Sequence, residues 1–456
     1  MTSHRTRTTG VALAAFLLLG AACSSDDDTD TTTTEPDPTT EPQEDDTTTS
    51  TTGPDDATGT STTEPVELTA SFRGVTADTI RVGFVDVDFE RLATEFGVDV
   101  NSPDTGLIME ALIADLNDRG GINGRMVEVV VETFLPVGTT TADAACVKMV
   151  EDEQVFAVLG GFGGPGTEES NVCITGPGET ILVGGRLTDE RLAQSRAPWV
   201  TPNMSSTRRG PAFVDALAAS GELDGLGTLG VHAVVPEQDA TADVIRDALA
   251  DAGATVALRS TGQAGGDQFA AASETEVMME RARADGVDSI VVVGVSPTVT
   301  DTILATDEFT VVLPNTEDVA NLEHATFSEG NRMIGTGSIA QADDPVLASC
   351  IEIAERAVGD AGPAEEDDDL SYWTSTTRAC QNLMLFEAIA TEAGPDLTNE
   401  SFAAAMGRVE LPPLPVYPFA SVDLDKPDAR DTLSVLEWDL TLGDFVAIAG
   451  PFDVRE

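Results

Sequence analysis

From Thr79 onward the sequence alternates between short β-branched runs and amphipathic stretches, and this alternation limits the fold more than any other feature. "TIRVGFVDV" has the pattern of a strand. "GLIMEALIADLNDRGG" follows as a helix with Ile108, Leu112, Ile113 and Leu116 on one face. "RMVEVVVETF", "VFAVLGGFGG" and "TILVGG" continue as strands, separated by the helical patterns "TTTADAACVKMVEDE" and "EESNVCITGPG". A second round opens at "GTLGVHAVV" and runs through "ATADVIRDALADAG", "TVALRS", "EVMMERARADG" and "DSIVVVGVS". Strand–helix alternation predicts parallel sheets covered by helices on both faces and wound right-handed. Two rounds, divided near Thr201–Asn203, predict two doubly wound α/β lobes with a cleft between them. Open α/β sheets bind ligands beyond the carboxyl ends of their strands. The loops after Val85, Leu159, Val183, Val235 and Val293 should therefore face that cleft.

The start of the chain has a different character. Arg5 and Arg7 precede the apolar run Val11–Ala22, which is too short to span a bilayer and ends in "GAA" before Cys23. This resembles the lipobox of bacterial lipoproteins, in which the signal is cut before a cysteine that receives lipid. The leucine usual three residues ahead of the cysteine is replaced by Gly20, with Leu19 one position further back. Residues 1–22 are thus expected to be a signal peptide and Cys23 a lipid anchor. From Ser24 to Leu68 there are 14 acidic residues and no basic one, set among Thr, Ser and Pro. Such a segment has too little apolar surface to offset its ordering entropy, so residues 23–77 are expected to form a disordered tether.

With 80 acidic and 24 basic residues the chain carries a formal charge of −56, which excludes a nucleic-acid partner. Four cysteines remain besides Cys23. In an oxidising compartment they predict two disulfides. Three pairings are possible. Cys146–Cys173 and Cys350–Cys380 are favoured because each pair sits on successive helical segments, and each bond would contribute about 3–4 kcal/mol by closing a loop of roughly 30 residues.

"GLIMEALIADLNDRGGINGRMVEVVVETF" followed by "ADAACVKMVEDEQVFAVLGGFGGPGTEES" resembles the type I periplasmic-binding family, which includes the leucine/isoleucine/valine-binding proteins of ABC importers. "N..GGINGR" is the most specific stretch of the match. "RARADGVDSIVVVG" and the closing "TLSVLEWDLTLGDFVAIAG" continue it by order and spacing. The resemblance implies three crossings between lobes, which would place one lobe at 78–201 plus 342–432 and the other at 202–341 plus 433–456. It also implies a ligand held between the lobes, a monomer, and docking on an ABC permease at the extracytoplasmic face of the cell membrane.

In "GGFGGPG", Gly161-x-Gly163-x-x-Gly166 matches a dinucleotide fingerprint, but it does not open the first strand–helix unit. Small residues before a helix instead suit an anion approached by backbone N–H groups, and no cofactor is expected. The family holds an amino-acid carboxylate at this loop. Carried over, the resemblance implies ligand contacts from Phe162, Gly163, Gly164, Gly166 and Thr167, with the family's usual serine missing. The next loop would add Gly185, Arg186 and Thr188. Arg186 offers a two-pronged grip on a carboxylate; the alternative is a surface pair with Asp189 or Glu190. From the second lobe come Gln238 and Asp239, then Ser296, and then Asn315 and Glu317 near the family's acidic contact for an ammonium group.

Just two tyrosines occur, so a pocket walled by tyrosines is excluded. Phe89, Phe162, Tyr372 or Trp373 could serve as the aromatic contact, and each of the four fits the core as well. His232 lies in an apolar strand and His324 in a polar segment. There is no Gly-x-Ser-x-Gly elbow, zinc spacing or phosphate-loop lysine, so neither a metal nor catalysis is expected. The sequence thus predicts a lipoprotein that captures an amino acid, branched-chain ones included, for an ABC importer. Sensing for a membrane kinase or receptor is the alternative, and short amides, urea or aromatic acids are further ligands to consider.

Overall fold

The computed structural model describes residues 68–97, 102–164, 166–235, 238–263, 268–294, 297–318, 330–339, 344–359 and 372–455. The expected signal peptide, Cys23 and residues 23–67 of the tether lie outside them, as do Ser296 and His324. Residues 68–77, expected to be tether, instead pack on the first lobe, with Val75 buried and bridged to Ile80.

Five strands form the first sheet: β1 (Thr79–Val87), β2 (Met126–Phe134), β3 (Ala157–Leu159), β4 (Ile181–Val183) and β5 (Trp199–Val200). Their order is β2-β1-β3-β4-β5, and every pairing is parallel. The first helices are α1 (Phe89–Arg91), α2 (Thr105–Asp118), α3 (Thr140–Val147), α4 (Ser170–Thr175) and α5 (Asp189–Leu192). α2 begins where the Asp104 carboxylate accepts a hydrogen bond from the Leu107 N–H, 3.0 Å. It buries Ile108, Met109, Leu112, Ile113 and Leu116, the face that the apolar spacing predicts.

The second sheet repeats the pattern with an addition. It comprises β6 (Leu229–Val235), β7 (Val256–Gln263), β8 (Ser289–Val293), β9 (Thr310–Leu313), β10 (Met333–Gly337), β11 (Thr432–Asp439) and β12 (Asp444–Asp453). The order β7-β6-β8-β9-β10 reproduces that of the first sheet. β11 then pairs antiparallel with β10, and β12 antiparallel with β11. This sheet is therefore mixed, because "TLSVLEWDLTLGDFVAIAG" turns back on itself as a hairpin at its edge. Helices α6 (Ser206–Ser220), α7 (Asp239–Asp251), α8 (Gln268–Asp285) and α9 (Pro297–Leu304) accompany it.

Three later helices, α10 (Pro345–Val358), α11 (Thr374–Ala393) and α12 (Asn399–Met406), return to the first sheet. There Leu383, Phe386, Ile389 and Phe402 share a core with Ile80, Ile108 and Leu112. The opposite face of that sheet is covered from α3 and α4 through Ala145, Met149 and Ile174. Each face of the second sheet has its own core, one including Phe213, Ile245 and Leu249, the other Met279, Ile303 and Phe309. Burial on both faces explains why the strands are continuous apolar runs.

The "N..GGINGR" stretch has a structural explanation. Asn117 bonds both ways with the Val127 backbone, at 2.9 and 2.7 Å. Arg125 is fully buried, and its guanidinium donates to the carbonyls of Thr76 (2.7 Å), Pro395 (2.8 Å) and Thr69 (2.9 Å). It ties the start of β1 to the α11–α12 connection, a position that needs three aligned donors. Cys146 is bonded to Cys173 and Cys350 to Cys380, so α3 is joined to α4 and α10 to α11.

Candidate functional site

In both sheets the strand order reverses next to the first strand of the round, between β1 and β3 and between β6 and β8. Such a reversal leaves a crevice at the carboxyl ends of the strands. A cleft of about 1000 Å³ lies there, and all five of the expected loops contribute to its lining, through Asp86, Gly160–Gly164, Gly184–Arg191, Gln238 and Gly294. The crossover 201–204 and the first turns of α6, α7 and α11 complete the wall with Ser206, Thr241 and Ser375. Helix N-termini around one cavity give it a positive bias.

The glycines serve mainly to bring backbone against backbone. A Cβ on Gly184 (φ +121°) would sit 1.9 Å from the Gly160 carbonyl oxygen, and one on Gly161 (φ +128°) 2.6 Å from the Gly185 Cα. The loops after β3 and β4 are therefore stacked on each other, and any side chain would force them apart. Gly163 differs, since a Cβ there would meet nothing within 4 Å. The buried Asn171 clamps the first loop, accepting from the Phe162 N–H (2.8 Å) and donating to the Phe162 carbonyl (2.9 Å). Asn171 lies on α4, which the Cys146–Cys173 bond ties to α3. Trp199 Nε1 donates to the Gly184 carbonyl, 2.8 Å, and so holds the second loop.

Of the residues singled out from the sequence, Phe89, Phe162, Gly163, Gly164, Gly185, Arg186, Thr188, Gln238, Asn315 and Glu317 stand on the cleft wall. Gly166, Thr167 and Asp239 do not. Thr167 is fully buried and its hydroxyl donates to the Gly164 carbonyl, 2.9 Å, so it closes the loop on itself. Gly166 faces Gly138. Asp239 opens α7 and pairs with Arg259, 2.5 Å, on the outer side. Tyr372 and Trp373 pack edge to face, 4.9 Å between centroids, in the first core. Thr188 caps α5, accepting from the Arg191 N–H. Arg186 pairs with neither Asp189 nor Glu190; its guanidinium lies 3.5 Å from Glu168.

Wall residues not found from the sequence include Asp86, Arg209, Arg378 and Asn382. Asp86 had a readable signal, since it follows Val85 at the end of β1. Burial, with Asp104 nearby, pushes its carboxyl up to about 6. Glu317 goes the other way. Burial pushes it up, but Arg430, Arg209, the Ser338 hydroxyl and Arg378 outweigh this and hold it down to about 2. Its carboxylate accepts from Arg430 Nη1 at 2.8 Å and from Ser338 Oγ at 3.0 Å. His232 is buried in β6, away from the wall, and bonds Ser260 at 2.9 Å; burial lowers it to about 4. Among the described residues, no group of three or more His, Cys, Asp or Glu is placed to hold a metal, and no helix is long and apolar enough to cross a membrane.

The sequence matches the family model described as periplasmic binding protein over residues 103–316. No curated protein matches it. Among solved structures, a solute-binding protein of an ABC transporter from R. palustris in complex with 4-hydroxybenzoate is 14% identical with a TM-score of 0.60; the match covers 82% of this chain and 96% of that one. A substrate-binding protein of an ABC transporter from Desulfitobacterium hafniense in complex with Leu is 14% identical, TM-score 0.54, covering 81% and 99%. A putative branched-chain amino acid ABC transporter protein from Rhodospirillum rubrum is 16% identical, TM-score 0.55, covering 81% and 99%. Family match over residues 103–316, paired switch-point sheets and interlobe cleft agree, and the chain has the two-lobe α/β fold of type I periplasmic-binding proteins.

Proposed function

We propose that this chain is a lipoprotein, anchored through Cys23 at the extracytoplasmic face of the membrane, that captures a small carboxylate-bearing solute and presents it to the permease of an ABC importer. The observation that carries this reading is the cleft itself. Its volume of about 1000 Å³ suits a small ligand, and its wall combines two stacked glycine loops with four arginines. Residues 78–201 plus 342–432 act as one lobe and 202–341 plus 433–456 as the other. Closure brings Gln238, Asn315 and the first turn of α6 onto a solute resting against Phe89, Gly163 and Arg186. Leucine and 4-hydroxybenzoate, held by two of the similar proteins, share a carboxylate, so amino acids and aromatic acids are the compounds to try first.

A thermal-shift screen of the purified chain tests this. A true ligand at a hundred times its dissociation constant adds about 2.7 kcal/mol of stability. A rise with a carboxylate compound, recovered unchanged afterwards, is the expected result. A screen in which neutral amides raise the midpoint and carboxylates do not would refute the carboxylate reading.

A further inference from the structure

The cleft wall carries four arginines and six acids, whereas the whole chain has 24 bases to 80 acids. Basic residues are concentrated where a solute would enter. Arg191 pairs with Glu168 (2.9 Å) and Glu169 (2.7 Å), and Arg186 lies 3.5 Å from Glu168. The other two, Arg209 from the first turn of α6 and Arg378 from α11, stand on the side of Glu317.

Glu317 lies near the position at which the family resemblance implies an acid for an ammonium group. Here that carboxylate is already engaged. Arg430 donates to it at 2.8 Å and is itself fully buried, with its guanidinium 4.9 Å from the Tyr417 ring centroid and its Nε on the Thr432 carbonyl. Among the described residues, Arg430 and Arg378 outnumber the single charge of Glu317. An ammonium group brought here would meet two or three guanidiniums. An anion would find the exposed Arg378 beside the N-terminal ends of α6 and α11.

We propose that the cleft selects a carboxylate that bears no ammonium group, such as a hydroxy acid, keto acid or aromatic acid, and holds its anionic end at Arg378 beside the Glu317–Arg430 pair. This rests on the solute-binding reading above and narrows its ligand class. Asp86 is the alternative seat for a cation. It lies at the end of β1 in the other sheet, where its carboxylate accepts from the Val87 N–H at 2.9 Å.

Matched pairs give the test. Titration calorimetry on the purified full-length chain compares L-leucine with 2-hydroxy-4-methylpentanoate and L-phenylalanine with 3-phenyllactate, with 4-hydroxybenzoate as a ring acid. The acid without ammonium should bind at least about tenfold more tightly than its amino-acid partner, the size of one charge-assisted contact. Arg378→Gln should weaken that acid by about 10- to 100-fold without changing the circular dichroism, and Arg378→Lys should restore part of the loss. Amino acids that bind as tightly as their hydroxy counterparts, with affinity lost in Asp86→Asn, would overturn the inference and leave the solute-binding reading intact. Unchanged affinity in Arg378→Gln would do the same. Heat from none of these compounds would overturn both.

Discussion

Arg208 and Arg209 are adjacent on the first turn of one helix and have opposite surroundings. Arg208 turns toward the crossover, where it pairs with Asp428 and, at 2.9 Å, with Asp431, and donates to the carbonyls of Arg430 and Val454. Both acids are buried at 1% exposure or less. Each has further partners: Asp428 accepts from the Ser205 N–H at 2.8 Å, and Asp431 from Ser421 at 2.5 Å and Lys426 at 2.9 Å. Two acids thus meet two bases, with Arg455 at the rim. Thr201 and Asp428 run side by side here as a parallel bridge, so this network fastens two of the chain's passages between the sheets. Arg209 turns toward the cleft, where Arg378 and Arg430 share one Glu317. The same residue type faces a closed, balanced lock on one side and the ligand cleft on the other. A balanced buried network fixes geometry, whereas a group on the cleft wall is held where a ligand can reach it.

The largest effect should come from the lock. Arg208→Ala leaves two fully buried carboxylates with Lys426 as their main cation, and should lower the denaturation free energy by about 3–5 kcal/mol. Arg209→Ala, one residue on, should lower it by less, because the two buried carboxylates of the lock keep Arg208. Chemical denaturation of the two variants side by side decides whether the contrast is real. Equal losses would show that Arg209 is also part of the fastening.

Glu317→Gln comes next. It leaves the buried Arg430 facing a neutral amide in place of its counter-charge, and should cost about 2–3 kcal/mol near neutral pH. The pH dependence has a definite sign. The folded-state pKa of Glu317 is depressed to about 2 from 4.5, so its contribution is complete above 4.5 and is lost as pH falls toward 2. The chain and its Glu317→Gln variant should therefore converge in stability below pH about 4. A gap that stays constant to pH about 3 would mean that Arg430 does not depend on this carboxylate.

The contrast between neighbouring arginines also marks where sequence reading stops. The alternation of Thr79–Val293, the buried face of α2 and the loops that reach the cleft follow from periodicity and strand polarity, which are local. Arg209, Glu317, Arg378 and Arg430 are distant along the chain and sit on four separate stretches, so no spacing announces that they converge. Thr167 shows the reverse failure. A hydroxyl in a glycine loop reads as a ligand contact, but the loop's own carbonyl at Gly164 takes it. The hairpin of β11 and β12 lay in plain sight as two apolar runs around "DLTLGD", yet strand–helix alternation elsewhere pointed to parallel pairing throughout.

Asp86 gives the smallest effect and extends the comparison to the first sheet. It is an acid on the cleft wall without the cations that Glu317 has, and burial and Asp104 raise its carboxyl to about 6 from 3.8. A raised acid disfavours the charged form in the fold. Its penalty is absent below pH about 4, grows as pH rises to about 6, and stays constant above. Asp86→Asn removes that penalty, so it should stabilise the chain by about 1 kcal/mol at pH about 7.5 and by nothing at pH about 4. Glu317→Gln moves stability the opposite way over an overlapping range. Two acids in one cleft, one held down by guanidiniums and one pushed up by burial, should therefore give thermal-denaturation differences of opposite sign at neutral pH. If Asp86→Asn instead destabilised at pH about 7.5, Asp86 would have a cationic partner, and the first-sheet side of the cleft would be balanced like the crossover lock.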